Sequence, residues 1–134
     1  MSELLPRYAF LIKGKGEDKN RLQAFDIALR EAGPLVQNIV TVSSILPASC
    51  KLISKEEGIK MLKPGQITFC VMARQDSNIF GETVSASVGI ARLEDENHYG
   101  FISEHHVIGL SESEAGDFAE KLAVQMFALK LGFV

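Results

Sequence analysis

The chain has 134 residues (14.7 kDa), 46% of them apolar and 23% charged, with a mean hydropathy of +0.11. That supports one domain with a real core and excludes a disordered or collagen-like chain. Fourteen Lys+Arg against 17 Asp+Glu leave a net charge of −3, without the basic surplus that phosphate neutralisation needs, so no nucleic-acid partner is expected. No apolar run approaches the length of a membrane span, and Met1–Arg7 lacks a basic segment followed by an apolar one. No membrane partner and a cytoplasmic location are therefore expected. Cys50 and Cys70 form no CxxC pair, which fits reduced thiols rather than a disulfide scaffold.

Tyr8 to Lys13 reads as a first strand, followed by a polar loop through Gly14 and Gly16. A helix is predicted from Asn20 to Ala32, with Leu22, Phe25, Leu29 and Ala32 as its apolar stripe, Asp26 on the flank, and Gly33-Pro34 as the stop. Val36 to Ile45 reads as a β-branched strand closed by Leu46-Pro47. Ser54 with Glu57 makes a capping box for a short helix to Leu62. Ile67 to Ala73 is an almost continuous apolar run, as expected of a strand buried on both faces. Glu82 to Leu93 and His98 to Ile108 read as two further strands. Ser111 and Glu114 open a long helix whose apolar face is Ala115, Phe118, Ala119, Leu122, Ala123, Met126 and Phe127, with Gly132 as its C-cap. The order β-α-β-α-β-β-β-α predicts an α+β fold with helices covering a sheet.

Several familiar chemistries are missing. Gly14-x-Gly16 lacks the third glycine of a dinucleotide loop, and there is no phosphate-binding Gly-Lys-Ser/Thr and no G-x-S-x-G elbow. His105 and His106 are neighbours on a strand and point to opposite faces, so they cannot share a metal. No metal is expected, and the three histidines, His98 included, read as surface or loop residues.

Three features are harder to dismiss. Ser43 and Ser44 interrupt an apolar strand that ends at Pro47; their hydroxyls could simply bond to backbone. Glu104 shares a strand face with Ile102, His106 and Ile108, so its carboxylate sits either at a solvated edge or in a desolvated place that prepares a general acid. Thr83, Ser85, Ser87, Gly89 and Ala91 make one strand face of small residues, which either packs very closely or floors a pocket.

Taken together, Ala24-Phe25-Asp26, Asn38, Val42-Ser43-Ser44-Ile45-Leu46-Pro47, Gly81-Glu82-Thr83-Val84-Ser85-Ala86, Glu104 and the final helix resemble the pyruvoyl-dependent arginine decarboxylase family, in the same order over nearly the whole chain. The resemblance implies a layered α/β sandwich of αββα type, as a single domain over residues 1–134. It implies self-cleavage between Ser43 and Ser44 into a β chain (1–43) and an α chain (44–134), with Ser44 becoming a covalent pyruvoyl group. That group would form a Schiff base with L-arginine and lead to agmatine and CO₂, in polyamine synthesis or acid resistance.

On the same basis Glu104 would be the proton donor, Asp26 the anchor of the guanidinium, and Asn38 a processing or positioning residue. Asn38 and Ser44 lie on one strand face but six residues apart, roughly 20 Å in a straight strand. Either the chain bends there or a second subunit completes the site, in line with the family's trimers; a homo-oligomer, a trimer or a multiple of it, is expected. The chain stops short of the family's last apolar strand, which is expected to be missing. The alternatives are a non-processing homologue serving as a structural or regulatory subunit, and a decarboxylase of another amino acid; Asp26 speaks against an acidic one.

Overall fold

The computed structural model describes residues 4–33 and 37–131. Its elements in chain order are β1 (Tyr8–Ala9), α1 (Arg21–Ala32), β2 (Asn38–Thr41), β3 (Ile45–Leu46), β4 (Lys51–Leu52), α2 (Lys55–Met61), β5 (Ile67–Cys70), β6 (Val84–Ala91), β7 (Gly100–Ile108) and α3 (Glu112–Leu131). The fold is α+β, as expected. The chain divides into two compact units, Met1–Val40 with Cys50–Phe69, and Thr41–Ser49 with Cys70–Val134.

In the first unit, β1 pairs in parallel with β4, Tyr8 opposite Lys51 and Ala9 opposite Leu52. β4 has no sequence signal because two residues cannot show a period. β1 stops well before the expected Lys13. The following glycines run along α1 instead of pairing: a Cβ at Gly14 would overlap the Ala28 carbonyl, and one at Gly16 the Ala24 carbonyl. α1 starts where its cap dictates, with the Asn20 side chain accepting from the Leu22 and Gln23 amides at 2.9 and 3.3 Å. It ends at Gly33, whose φ of 125° suits glycine. Of its predicted stripe Ala32 is buried and Phe25 and Leu29 are half-buried, whereas Leu22 is exposed in the first turn. The Ser54 box opens α2 as expected, Ser54 Oγ accepting from the Glu57 amide at 3.2 Å.

β2 and β5 form a two-stranded sheet, and both strands run from the first unit into the second. Two expectations fail here. β5 is four residues long, and alternates exposed and half-buried positions rather than being buried on both faces; with one partner strand it has only half a sheet around it. The strand expected over Val36–Ile45 is broken. It pairs from Asn38 to Thr41, leaves the ladder, and resumes as β3 in a different sheet. Positions 34–36 and Gly132, assigned above to a helix stop, a strand start and a helix cap, lie outside the described residues.

The second unit holds the three-stranded antiparallel sheet β3-β7-β6. β6 and β7 pair from Val84–Ile108 to Ala91–Phe101, and β3 adds Ile45 opposite Phe101 and Leu46 opposite Gly100. α3 begins in a reciprocal capping box, the Glu114 amide donating to Ser111 Oγ at 3.2 Å and the Ser111 amide to Glu114 Oε1 at 3.3 Å. Its innermost line is Ala115, Ala119, Ala123 and Phe127, four apart and all buried. Phe118 and Met126 lie on its flanks: Phe118 stacks on His105, and Met126 packs against the core of Ala91, Phe101, Ala123 and Phe127.

Small residues on both sides let the helix come close. Ser87 Oγ donates to the Ala115 carbonyl at 2.6 Å, and Ser103 Oγ donates to the Ala119 carbonyl. A Cβ at Gly89 would overlap that same carbonyl. The small-residue face of β6 therefore serves close packing rather than a pocket floor. At the far end Phe127 lies 5.7 Å from Phe101 and 6.1 Å from Tyr99, ring centre to ring centre. Phe127→Ala should cost about 3–5 kcal/mol, read as a lower denaturation midpoint with the m-value unchanged.

Candidate active site

The break between β2 and β3 puts the two serines at a change of partner. On one side the Val42 amide donates to the Cys70 carbonyl at 2.8 Å; on the other the Ser44 carbonyl accepts from the Ile102 amide at 2.7 Å. The Ser43–Ser44 peptide bond lies between these two tethers, and only Ser44 separates it from β3. Ser43 is exposed and Ser44 half-buried.

Beside them is a cavity of about 320 Å³ within the second unit, bounded by residues 41–44, by Ile102, Ser103 and Glu104 of β7, and by Leu122 and Met126 of α3. Small-molecule sites run from about 300 to 1,000 Å³, so it has room for the reacting end of an amino acid. Its walls are unlike one another. Hydroxyls and a carboxylate lie on the strand side, and two apolar side chains come from the helix.

The structure thus brings together Ser43, Ser44 and Glu104, three residues separated by up to 61 positions in sequence. Glu104 is exposed, which selects the solvated alternative of the two its strand pattern left open. The reason is sidedness: Ser103 and His105 face α3, the only helix of this unit among the described residues, so the side chains of Glu104 and His106 alternate to the other face of the sheet. Cys70, beside the Val42 tether, has its thiol pushed up by burial, with an opposing contribution from a hydrogen bond to the Thr41 side chain. It stays a protonated thiol at neutral pH.

Asp26 and Asn38 belong to the first unit. Asp26 is exposed on α1. Asn38 is anchored at the start of β2, its Nδ2 donating to the Gly65 carbonyl at 2.8 Å and its amide to the Gln66 carbonyl at 2.9 Å. Its side-chain donor is spent on the turn after α2, upstream of the serine pair. Three cavity residues escaped sequence reasoning in part. Leu122 and Met126 read only as core, and Ser103 was not singled out. The sequence offered only a serine between Ile102 and Glu104 in an alternating strand; that it faces α3, opposite Gly89 in the ladder, is visible only in the structure.

A serine pair at a strand switch, beside a cavity that Glu104 also lines, is the arrangement the second unit offers as a site. The comparisons make the assignment specific. A family model described as pyruvoyl-dependent arginine decarboxylase matches residues 8–133. A protein of Picrophilus torridus named pyruvoyl-dependent arginine decarboxylase is 48% identical over 132 residues, covering 98% of this chain and 72% of the relative. One of Methanococcoides burtonii with the same name is 47% identical over 129 residues (96% and 72%). A third, pyruvoyl-dependent arginine decarboxylase 2 of Methanosarcina acetivorans, is 49% identical over 129 residues (96% and 70%). The chain belongs to the pyruvoyl-dependent arginine decarboxylase family.

The group in that name is a covalently bound pyruvoyl, and the residues present fit it. Ser44 is half-buried, its carbonyl is tied to β7, and the cavity beside it has room for an added substrate. No helix among the described residues is long and apolar enough to cross a membrane.

Proposed function

We propose that this chain is a pyruvoyl-dependent arginine decarboxylase, a carbon–carbon lyase that cuts itself between Ser43 and Ser44 and converts L-arginine to agmatine and CO₂. The observation that carries the reading is the joint placement of Ser43, Ser44 and Glu104 on one cavity in a chain that matches this family along nearly its whole length.

Ser44 Oγ attacks the Ser43 carbonyl carbon, and the peptide bond is exchanged for an ester. Loss of the α proton of residue 44 then expels the Ser43 carboxylate and ends the β chain at residue 43. Residue 44, now dehydroalanine, tautomerises to an imine, and water hydrolyses that imine, supplying the ketone oxygen and releasing the nitrogen as ammonia; the ketone caps the chain 44–134. A serine is needed because one oxygen must be both nucleophile and leaving group. The tethers at Val42 and Ser44 keep both sides of the bond in place during the exchange. Once formed, the pyruvoyl carbonyl supplies a built-in electron sink for loss of CO₂ from an α-amino acid.

Glu104 then gives its proton to the substrate carbon that has lost CO₂. Leu122 and Met126 form the apolar wall that keeps water from that carbon. Asp26 receives the guanidinium as a bidentate, charge-assisted pair, and Asn38 anchors the strand that leads to the cleavage point. Glu104 lies on the sheet face away from α3, among apolar neighbours such as the exposed Ile108. Assembly into a homo-oligomer, a trimer or a multiple of it, covers that face and completes the site; native mass spectrometry reads the number of copies.

The deciding experiment is the denatured intact mass of fresh protein. Two species that break between Ser43 and Ser44, the larger blocked at its N-terminus, with CO₂ released from arginine, are expected. A single uncut 14.7 kDa chain that stays uncut on incubation would turn the assignment to a non-processing subunit. Asp26→Ala should raise the KM for arginine roughly tenfold to a hundredfold, the loss of a charge-assisted pair, with kcat less affected. An unchanged KM would remove Asp26 from the substrate site.

A further inference from the structure

Ser103 is the most buried polar side chain among the described residues, 2% exposed, and it lies between two residues of the proposed site. Ile102 on one side ties the Ser44 carbonyl through its amide; Glu104 on the other carries the proposed acid. Its own hydroxyl points the other way and donates to the Ala119 carbonyl of α3. That carbonyl fills the space left by the absent side chain of Gly89, the residue opposite Ser103 in the ladder.

The contact is more than filling. A mid-helix carbonyl already accepts from the amide four residues on, so Ala119 has no need of Ser103, and the hydroxyl adds a second, directional bond. With the Ser87 bond to the Ala115 carbonyl one turn earlier, this directional bond fixes the rotation of α3 and its position along its axis, and it is the one nearer the cavity. Leu122 and Met126, three and seven residues beyond Ala119, share one side of the helix with it. These are the two helix residues that line the cavity which Ser44 and Glu104 also line.

We propose that Ser103 is a positioning residue for self-cleavage and decarboxylation: its bond to the Ala119 carbonyl helps set the seat of α3 and so places Leu122 and Met126 at the cavity beside the Ser43–Ser44 bond. Ser103 borders the cavity, but its hydroxyl is committed to the Ala119 carbonyl, so it acts through the helix. The inference rests on the function proposed above, and wild type assayed in parallel separates the two: an uncut wild type overturns that function, whereas the variants below judge Ser103.

The test compares Ser103→Thr with Ser103→Val, which have the same shape and differ in the hydroxyl alone, beside Ser103→Ala and Ser103→Ala/Met126→Ala. Two readouts are followed: the half-time of self-cleavage from denatured mass, and kcat and KM per mature site across pH. Ser103→Val and Ser103→Ala should mature and turn over on the order of tenfold slower or more, the scale of a misplaced reacting geometry. Their KM for arginine should change little and the limbs of the kcat–pH profile should move, with far-UV circular dichroism unchanged. Ser103→Thr should recover most of both rates. Adding Met126→Ala to Ser103→Ala should slow the enzyme by less than the product of the two single effects, since both act on one wall. Threonine and valine variants that behave alike, wild-type rates in Ser103→Ala, or independent effects of Ser103 and Met126 would each overturn the proposal.

Discussion

Ser44→Ala should yield a single uncut chain of about the full mass, with no release of CO₂ from arginine at any incubation time. The chemistry leaves no partial outcome, because alanine has neither the nucleophile for the Ser43 carbonyl nor an oxygen to leave in the elimination. Ser44→Cys keeps a nucleophile at the same atom and should retain slow cutting. Ser43→Ala should still cut, since only the Ser43 carbonyl takes part and that carbonyl is backbone. The three variants together locate the bond. Cutting in Ser44→Ala would place the cleavage elsewhere and remove Ser44 as the source of the pyruvoyl group. The alanine variant is also expected to stay folded, because the tether at this residue is its backbone carbonyl bonded to the Ile102 amide.

Glu104→Gln should separate making the enzyme from running it. The amide is close in size to the carboxylate and cannot deliver a proton to carbon, so kcat should fall by about 10²–10⁴, the usual worth of a positioned general acid. Self-cleavage, which uses Ser44 Oγ and the Ser43 carbonyl, should persist, so the denatured protein still shows two chains. Two chains with a large loss of kcat would support the assigned role. Two chains with wild-type kcat would take the proton donor away from Glu104. An uncut chain would mean that the carboxylate is needed for maturation as well. The proposed oligomer gives this prediction a companion, since Glu104 is exposed on the face away from α3: dilution that dissociates it should lower activity per mature site, because that face is then open to water.

The helices were largely legible in the sequence. Asn20, Ser54 and Ser111 each announced a helix start, and in each case the side chain is found accepting from an amide two or three residues on. Such signals lie within one turn, so a few residues encode them fully. The small-residue face of β6 was legible as either packing or pocket, and only the position of the Ala119 carbonyl above Gly89 decided for packing. The candidate chemistry was equally legible as residue types: two adjacent serines, a carboxylate on an apolar strand and an acidic residue on a helix flank.

Strand ends and the site itself were not. Whether residue 42 continues a strand depends on partners far away in sequence, Cys70 for its amide and Ile102 for the carbonyl of Ser44. A β-branched run reads the same whether one partner or two in turn will pair with it. Likewise, alternation along β7 showed that Glu104 and Ser103 face opposite ways, but not which side α3 would take. The helix starts, the α+β class and the residue types at the candidate site could be read from the chain because they rest on local hydrogen bonding and on side-chain chemistry. The tertiary structure alone decided the break at the serine pair, the exposure of Glu104 and the seat of α3 on Ser103, because each depends on pairing between segments that meet only when the chain has folded.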